Sequence, residues 1–114
     1  MITILAGGVG AARYLSGLLA VVDPSEVTAI VNTADDTVLH GLSISPDLDT
    51  VTYTLSGEID RERGWGLAGE TWTTMGALAR FAEHRPAGSM AGGTWFNLGD
   101  HDMATHLYLS LIHI

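Results

Sequence analysis

Ile2 to Ala6 form an unbroken apolar run of five residues, too short for a buried helix and of the length a buried strand uses. Gly7, Gly8 and Gly10 follow at once, and from Ala11 the spacing changes. Ala11, Ala12, Leu15, Leu18, Leu19 and Val22 share one face of a 3.6-residue period that stops before Asp23 and Pro24. Val27 to Val31 is a second apolar run, expected as a second buried strand, and Asn32-Thr33-Ala34-Asp35-Asp36 follows it. Strand, glycine turn, helix and strand make a βαβ unit, whose right-handed crossover makes the two strands parallel neighbours.

The middle of the chain carries two periods at once. Val51, Tyr53 and Leu55 alternate with Thr50, Thr52 and Thr54, as in a strand. Yet Ser45-Pro46-Asp47 has the form of a helix start, and Leu48, Val51 and Leu55 share a helical face. Residue pattern alone leaves both readings open. Gly57 to Gly69 is expected as an ordered surface loop around Trp65, and Thr71 as the cap of a helix that turns Trp72, Met75, Leu78 and Ala82 inward. His84 to Gly93, rich in Gly, Ala and Pro, reads as a connector. Thr94 to Leu98 is a short strand candidate, Gly99-Asp100 its turn, and Asp102 onward another helix. Leu107 to Ile114 is nearly all apolar and ends without a cap or polar stop, so the chain reads as an N-terminal fragment with a doubtful tail at 109–114.

Composition narrows the function classes. The 114 residues are 46% hydrophobic, which allows a real core. Five Arg and no Lys face thirteen acidic residues, for a formal charge of -8, so a broad nucleic-acid footprint is not expected. With no Cys there is no disulfide or thiol chemistry, which fits a cytoplasmic location. No run of eighteen apolar residues offers a membrane span, and none is expected.

Gly8-Val9-Gly10 between a strand and a helix is a credible phosphate loop, since small residues let N–H groups and a helix start approach an anion. It departs from the dinucleotide pattern, because Arg13 stands where the last glycine belongs. A tight turn that only relieves crowding is the alternative, and Arg13 either pairs with a phosphate or, the plainer expectation, lies on a solvated helix face. Three acidic pairs follow strand or turn positions: Asp35 and Asp36, Asp47 and Asp49, Asp100 and Asp102. Hard divalent cations take such carboxylates and keep water or phosphate as further ligands. The plain alternative is helix capping, for which Asp47 and Asp100 are the obvious candidates. His40, His101 and His106 have no zinc spacing, no serine sits in a nucleophile elbow, and Trp65, Trp72 and Trp95 read as packing at least as well as ligand contacts.

Five segments together resemble one known family: AGGVGAAR at 6–13, VNTADD at 31–36, SPDLDTVTYTLSG at 45–57, RGWGLAGETW at 63–72 and LGDHDMATHL at 98–107. In this order they are similar to the 2-phospho-L-lactate transferases of coenzyme F420 biosynthesis, over residues 1 to about 108, the N-terminal portion of a single domain. The resemblance implies an α/β, Rossmann-like fold, a mostly parallel sheet with helices on both faces, here apparently truncated. It implies helix over Pro46–Leu55, with Ser45 as its cap. It further implies a Mg²⁺-dependent transfer of a phospholactyl or phosphoenolpyruvyl group from a guanosine diphosphate-linked donor to a deazaflavin hydroxyl, with GMP released. Gly7, Gly8, Val9 and Gly10 are then expected at the donor phosphates and Asp35 and Asp36 at the metal. Asp36 and Asp49 are expected in catalysis, and Thr33, Asp49 and His101 at the acceptor. His101 stands where relatives often carry Arg. A homodimer is expected of the full-length protein. A non-catalytic nucleotide-binding or regulatory protein of related fold, or an inactive fragment, is the alternative.

Overall fold

A computed structural model describes residues 1–89 and 96–112, with side chains described through residue 109. Its elements in order are β1 (Ile2–Ala6), α1 (Val9–Leu19), β2 (Val27–Val31), β3 (Thr37–Leu39), β4 (Leu42–Ile44), α2 (Pro46–Ser56), α3 (Thr73–Ala82) and α4 (Asp100–Ile112). A single 3₁₀ turn at Pro24–Glu26 leads into β2. The fold is α/β. Two compact units gather these elements: Met1–Asp36 with Ser45–Ala68, and Thr37–Ile44 with the described residues from Gly69 onward.

The first unit contains the expected βαβ. β1 and β2 pair in parallel, Ile2 opposite Val27 through Ala6 opposite Val31. One sheet face carries Ile4, Ala6, Val27 and Val31, which pack with Ala11, Ala12 and Leu15 of α1 and Val51 of α2 into a single core. α2 resolves the double period in favour of helix. Proline in its first turn supplies a preset φ, the acidic Asp47 and Asp49 sit where the helix dipole favours them, and Gly57 ends it in the left-handed region at φ 81°. Ser45 occupies the N-cap position, but its hydroxyl makes no capping bond. Its carbonyl instead accepts from the Asp49 N–H at 2.8 Å. The strands are less buried than their apolar runs suggest: Leu5 is 83% and Ile30 54% exposed. The helices described here cover only the opposite face of this two-stranded sheet.

The second unit contains a feature not anticipated from sequence. β3 and β4 form an antiparallel hairpin closed by His40 and Gly41, with Leu39 opposite Leu42. Both turn residues have positive φ, 54° and 79°, the requirement of the tight turn that matches strand twist. The sheet pairing is thus parallel in one unit and antiparallel in the other. Leu39, Leu42 and Ile44 face a core completed by Met75, Leu98, Leu78, Phe96 and Met103. α4 begins at Asp100, two residues before the expected start. Residues 96–98 of the candidate strand are irregular, while residues 94 and 95 (with Trp95), most of the 84–93 connector's end from residue 90, and residues 113–114 lie outside the described residues.

Candidate functional site

The C-terminal ends of β1 and β2 are where parallel sheets gather ligands, and the first unit builds a polar cluster there. Gly7 and Gly8 turn the chain from β1 into α1. Asn32, just past β2, extends the ladder by donating its backbone N–H to the Ala6 carbonyl at 2.8 Å. Its side-chain Oδ1 accepts from the Ala34 N–H at 3.1 Å, and its Nδ2 donates to Asp47 Oδ2 at 2.8 Å. One amide thereby ties the end of β2 to the start of α2.

Asp47 reaches the glycine turn. A methyl placed on Gly8 would lie 2.7 Å from Asp47 Oδ1, so the carboxylate comes this close only because residue 8 has no side chain. Asp47 shares its helix face with Val51, which is buried against α1. Asp49, two residues on, points away from that face, since residues i and i+2 do not neighbour each other on a helix. Asp49 is half-buried and does have a partner. Of the acidic pair in the Ser-Pro segment, it is therefore Asp47 that meets the glycines.

Asp35 and Asp36 sit in an exposed turn after Asn32, closed by the Asp36 N–H on the Thr33 carbonyl at 3.2 Å. Among the described residues, neither carboxylate has a hydrogen-bond partner. Thr33 is exposed in the same turn. Val9 and Gly10 form the first helical residues of α1, and the N-cap Gly8 has no side chain with which to cap it. Asn32 is the residue the sequence reading passed over. Its signal was its place, a polar amide directly after a strand at the ligand-gathering edge.

The second unit holds His101, Asp100 and Asp102. Here the carboxylates exchange caps. Asp100 Oδ2 accepts from the Thr71 hydroxyl at 2.6 Å and from the Thr73 N–H at 2.9 Å, and Oδ1 from the Thr74 N–H at 2.9 Å. The first residue of α4 thus caps α3, replacing Thr71 in the expected role, and Trp72 stands at the N-cap position. In return Glu70, its side chain only 1% exposed, accepts from the His101 N–H at 2.7 Å and the Asp102 N–H at 3.0 Å. The Thr71 hydroxyl, followed by the N–H groups of Thr74 and Thr73, holds Asp100 well below the usual carboxylate range. His101 Nδ1 lies 3.8 Å from Glu70 Oε1, an ion pair when the imidazole is protonated, and remains mostly exposed. His106 is buried with Nε2 3.2 Å from Asp102 Oδ1.

Comparison with known proteins gives a consistent picture. The family described as 2-phospho-L-lactate transferase CofD matches residues 2–112. The chain is 52% identical over 106 residues to a phosphoenolpyruvate transferase of Nocardia farcinica, covering 93% of this chain and 30% of that one. It is 51% identical over 110 residues to a phosphoenolpyruvate transferase of Kitasatospora aureofaciens, covering 96% and 32%. With the protein of that name from Mycolicibacterium smegmatis it shares 46% over 118 residues, covering 96% and 34%. The chain spans about a third of the length of these curated relatives.

Proposed function

Since this chain belongs to the 2-phospho-L-lactate transferase CofD family, we propose that it forms the donor-side part of an enzyme that moves a phosphorylated three-carbon acid onto a deazaflavin. The names of the relatives favour phosphoenolpyruvyl over phospholactyl as the group moved. In this reading the donor carries the group on a guanosine diphosphate linkage. The acceptor hydroxyl oxygen bonds to the distal phosphorus, the bond from that phosphorus to the bridging oxygen breaks, GMP leaves with the electron pair, and the hydroxyl proton passes to a base or to water.

The observation that carries the reading is the Asn32–Asp47–Gly8 cluster. A phosphate approaching the glycine turn meets the start of α1, which attracts it, and the Asp47 carboxylate, which repels it. A cation held by Asp47 would reconcile the two demands. The donor set suits Mg²⁺: all oxygen, with Asp47 Oδ1 left open because Asn32 holds only Oδ2, and with Asp35 and Asp36 exposed nearby in sequence on the same strand end. Bound there, such an ion would supply charge neutralisation for the diphosphate and the departing GMP. The chain's own contribution is placement. Asn32 holds Asp47 against the turn, Gly8 leaves room for it, and Asp35 and Asp36 supply further negative charge from β2. Asp49 is proposed to position the acceptor, as is Thr33.

A chimera tests this, with residues 1–106 of this chain replacing the matching N-terminal segment of the Nocardia farcinica relative. Transfer to a deazaflavin acceptor is expected to require Mg²⁺, and Asp36→Asn, Asp47→Asn or Asp49→Asn to lower turnover by about a hundredfold or more with the fold retained. Unchanged turnover in all three variants defeats the assignment. Magnesium-dependent binding of guanosine diphosphate without any acceptor consumption points instead to a non-catalytic nucleotide-binding protein.

A further inference from the structure

A cavity lies in the first unit, on the flank of α1. It has a volume of about 370 Å³ and is lined by Val9, Arg13 and Ser16 of α1, Thr54 of α2, and Ile59, Arg61 and Gly64 of the loop that follows. We propose that this cavity binds the phosphate group of a small organic phosphomonoester, gripped between Arg13 and Arg61.

The argument begins with charge. The chain has only five cationic side chains against thirteen acidic ones, and two of the five line this one cavity. Neither is engaged elsewhere: among the described residues no hydrogen bond or ion pair holds Arg13 or Arg61. Their neighbour Arg63 shows the contrast. It lies 3.1 Å from Asp60, donates to the Leu67 carbonyl at 2.9 Å, and stacks 5.1 Å from the Trp65 ring centroid. Asp60, next to Arg61 in the chain, is already committed, accepting from the N–H groups of Glu62 and Arg63 as well as pairing with Arg63. Two guanidinium groups facing one cavity repel each other unless an anion sits between them. Planar guanidinium forks suit phosphate in particular, each able to give two parallel N–H bonds.

The loop is built to hold Arg61 in place. Asp60 N–H donates to the Gly66 carbonyl at 2.9 Å and Gly64 N–H to the Asp60 carbonyl at 2.8 Å, while Ile59 bridges Leu67. Arg13 comes within 3.8 Å of the position a side chain would occupy on Gly64. The lining also offers Val9 and Ile59 as apolar wall, and the Ser16 hydroxyl as a further donor. The Thr54 hydroxyl gives its proton to the Thr50 carbonyl at 2.6 Å, so it faces a ligand as an acceptor only. Mixed apolar and cationic lining fits a phosphomonoester with a small apolar body better than a bare ion. The cavity shares Val9 with the glycine turn but extends away from Asp47: Thr54 lies seven residues along α2 from Asp47, about 10 Å of helix.

Nuclear magnetic resonance of the 114-residue chain tests the proposal, with phenyl phosphate titrated at about 20 mM salt to limit screening. The amide signals of Val9, Ser16 and Gly64 are expected to shift together and saturate, at lower concentration than with inorganic phosphate or benzoate. Arg13→Gln and Arg61→Gln are each expected to weaken binding by about fivefold or more, and the double variant to abolish saturation. Arg→Lys at either position is expected to recover part of the loss, keeping charge without the fork. Both side chains are exposed, so the folded spectrum is expected to persist. Linear, unsaturating shifts overturn the proposal, as does saturation confined to Gly7, Gly8 and Asn32, or wild-type affinity in the double variant.

Discussion

Gly99 shows how much one missing methyl group decides. A Cβ at this position would collide with Cγ and Cδ of Glu70, and Glu70 cannot easily withdraw. Its carboxylate is pinned by the N–H groups of Thr71, His101 and Asp102. Gly99→Ala is therefore expected to cost about 2 kcal/mol, the range of an overpacked core. Glu70→Ala, which strips two helical N–H groups of their acceptor, is expected to cost about 1–3 kcal/mol by itself. In the Glu70→Ala background the obstruction is gone, so adding Gly99→Ala should cost far less than it does alone. Denaturant titration of the four proteins measures that coupling. Strict additivity would show that the two residues do not press on each other. The same scale explains Gly8 and Asp47, where a carboxylate lies against a backbone that only glycine leaves open.

Helix ends and turns carry the next level of organisation. The start of α3 depends on a carboxylate from α4, 27 residues away in the chain, and this exchange has a pH signature. Asp100 titrates below its ordinary value because Thr71, Thr74 and Thr73 bond to its ionised form. Its contribution to stability is thus fully present above the unfolded carboxylate pKa of about 4 and is lost as pH falls through the lower folded value. Thermal midpoints measured from about pH 6 down to about pH 2 should fall less steeply in Asp100→Asn, which also starts from a lower midpoint at neutral pH. Asp23 and Asp60 are lowered in the same direction by their own bonds to Ser25 and Arg63, so some acid sensitivity remains. The β3–β4 hairpin offers a second check. His40 adopts φ 54° before Gly41 at φ 79°. His40→Asn is expected to stabilise by about 0.5 kcal/mol, because asparagine tolerates that region better, and Gly41→Ala to destabilise by about 1 kcal/mol. Chemical denaturation reads both.

At the scale of the whole chain, the described residues cover the parallel pair β1–β2 on one face only. Leu5 and Ile30 are register partners on the other face, and both are mostly exposed. Parallel sheets are ordinarily buried on both sides, and this chain spans about a third of the length of its relatives. Leu5→Ser and Ile30→Ser are expected to change the stability of the 114-residue chain by less than about 0.5 kcal/mol. In the chimera with the Nocardia farcinica relative the same substitutions should cost more than about 1 kcal/mol, the worth of an aliphatic side chain taken out of water. Equal, small effects in both proteins would mean that this face stays open at full length. No described helix is long and apolar enough to cross a membrane.

Apolar spacing along the chain was enough to establish the βαβ unit, because a five-residue apolar run and a 3.6-residue period are local properties that survive in any surroundings. Motif order was enough to reach the family, since five separate segments recur together. The burial of the strands was overestimated, as an apolar run reports what could be covered and not what covers it. The hairpin escaped notice because His-Gly is a weaker turn signal than Asn-Gly, and three-residue strands hold too few positions to show a period. Only the folded chain selected Asp47 over Asp49 for the glycine turn. Both residues satisfy the same sequence pattern, and the choice between them was made by the face of α2 that buries Val51 against α1. Likewise no spacing rule could pair Glu70 with α4 or Asp100 with α3, because a helix end takes its cap from whichever acceptor packing brings within reach.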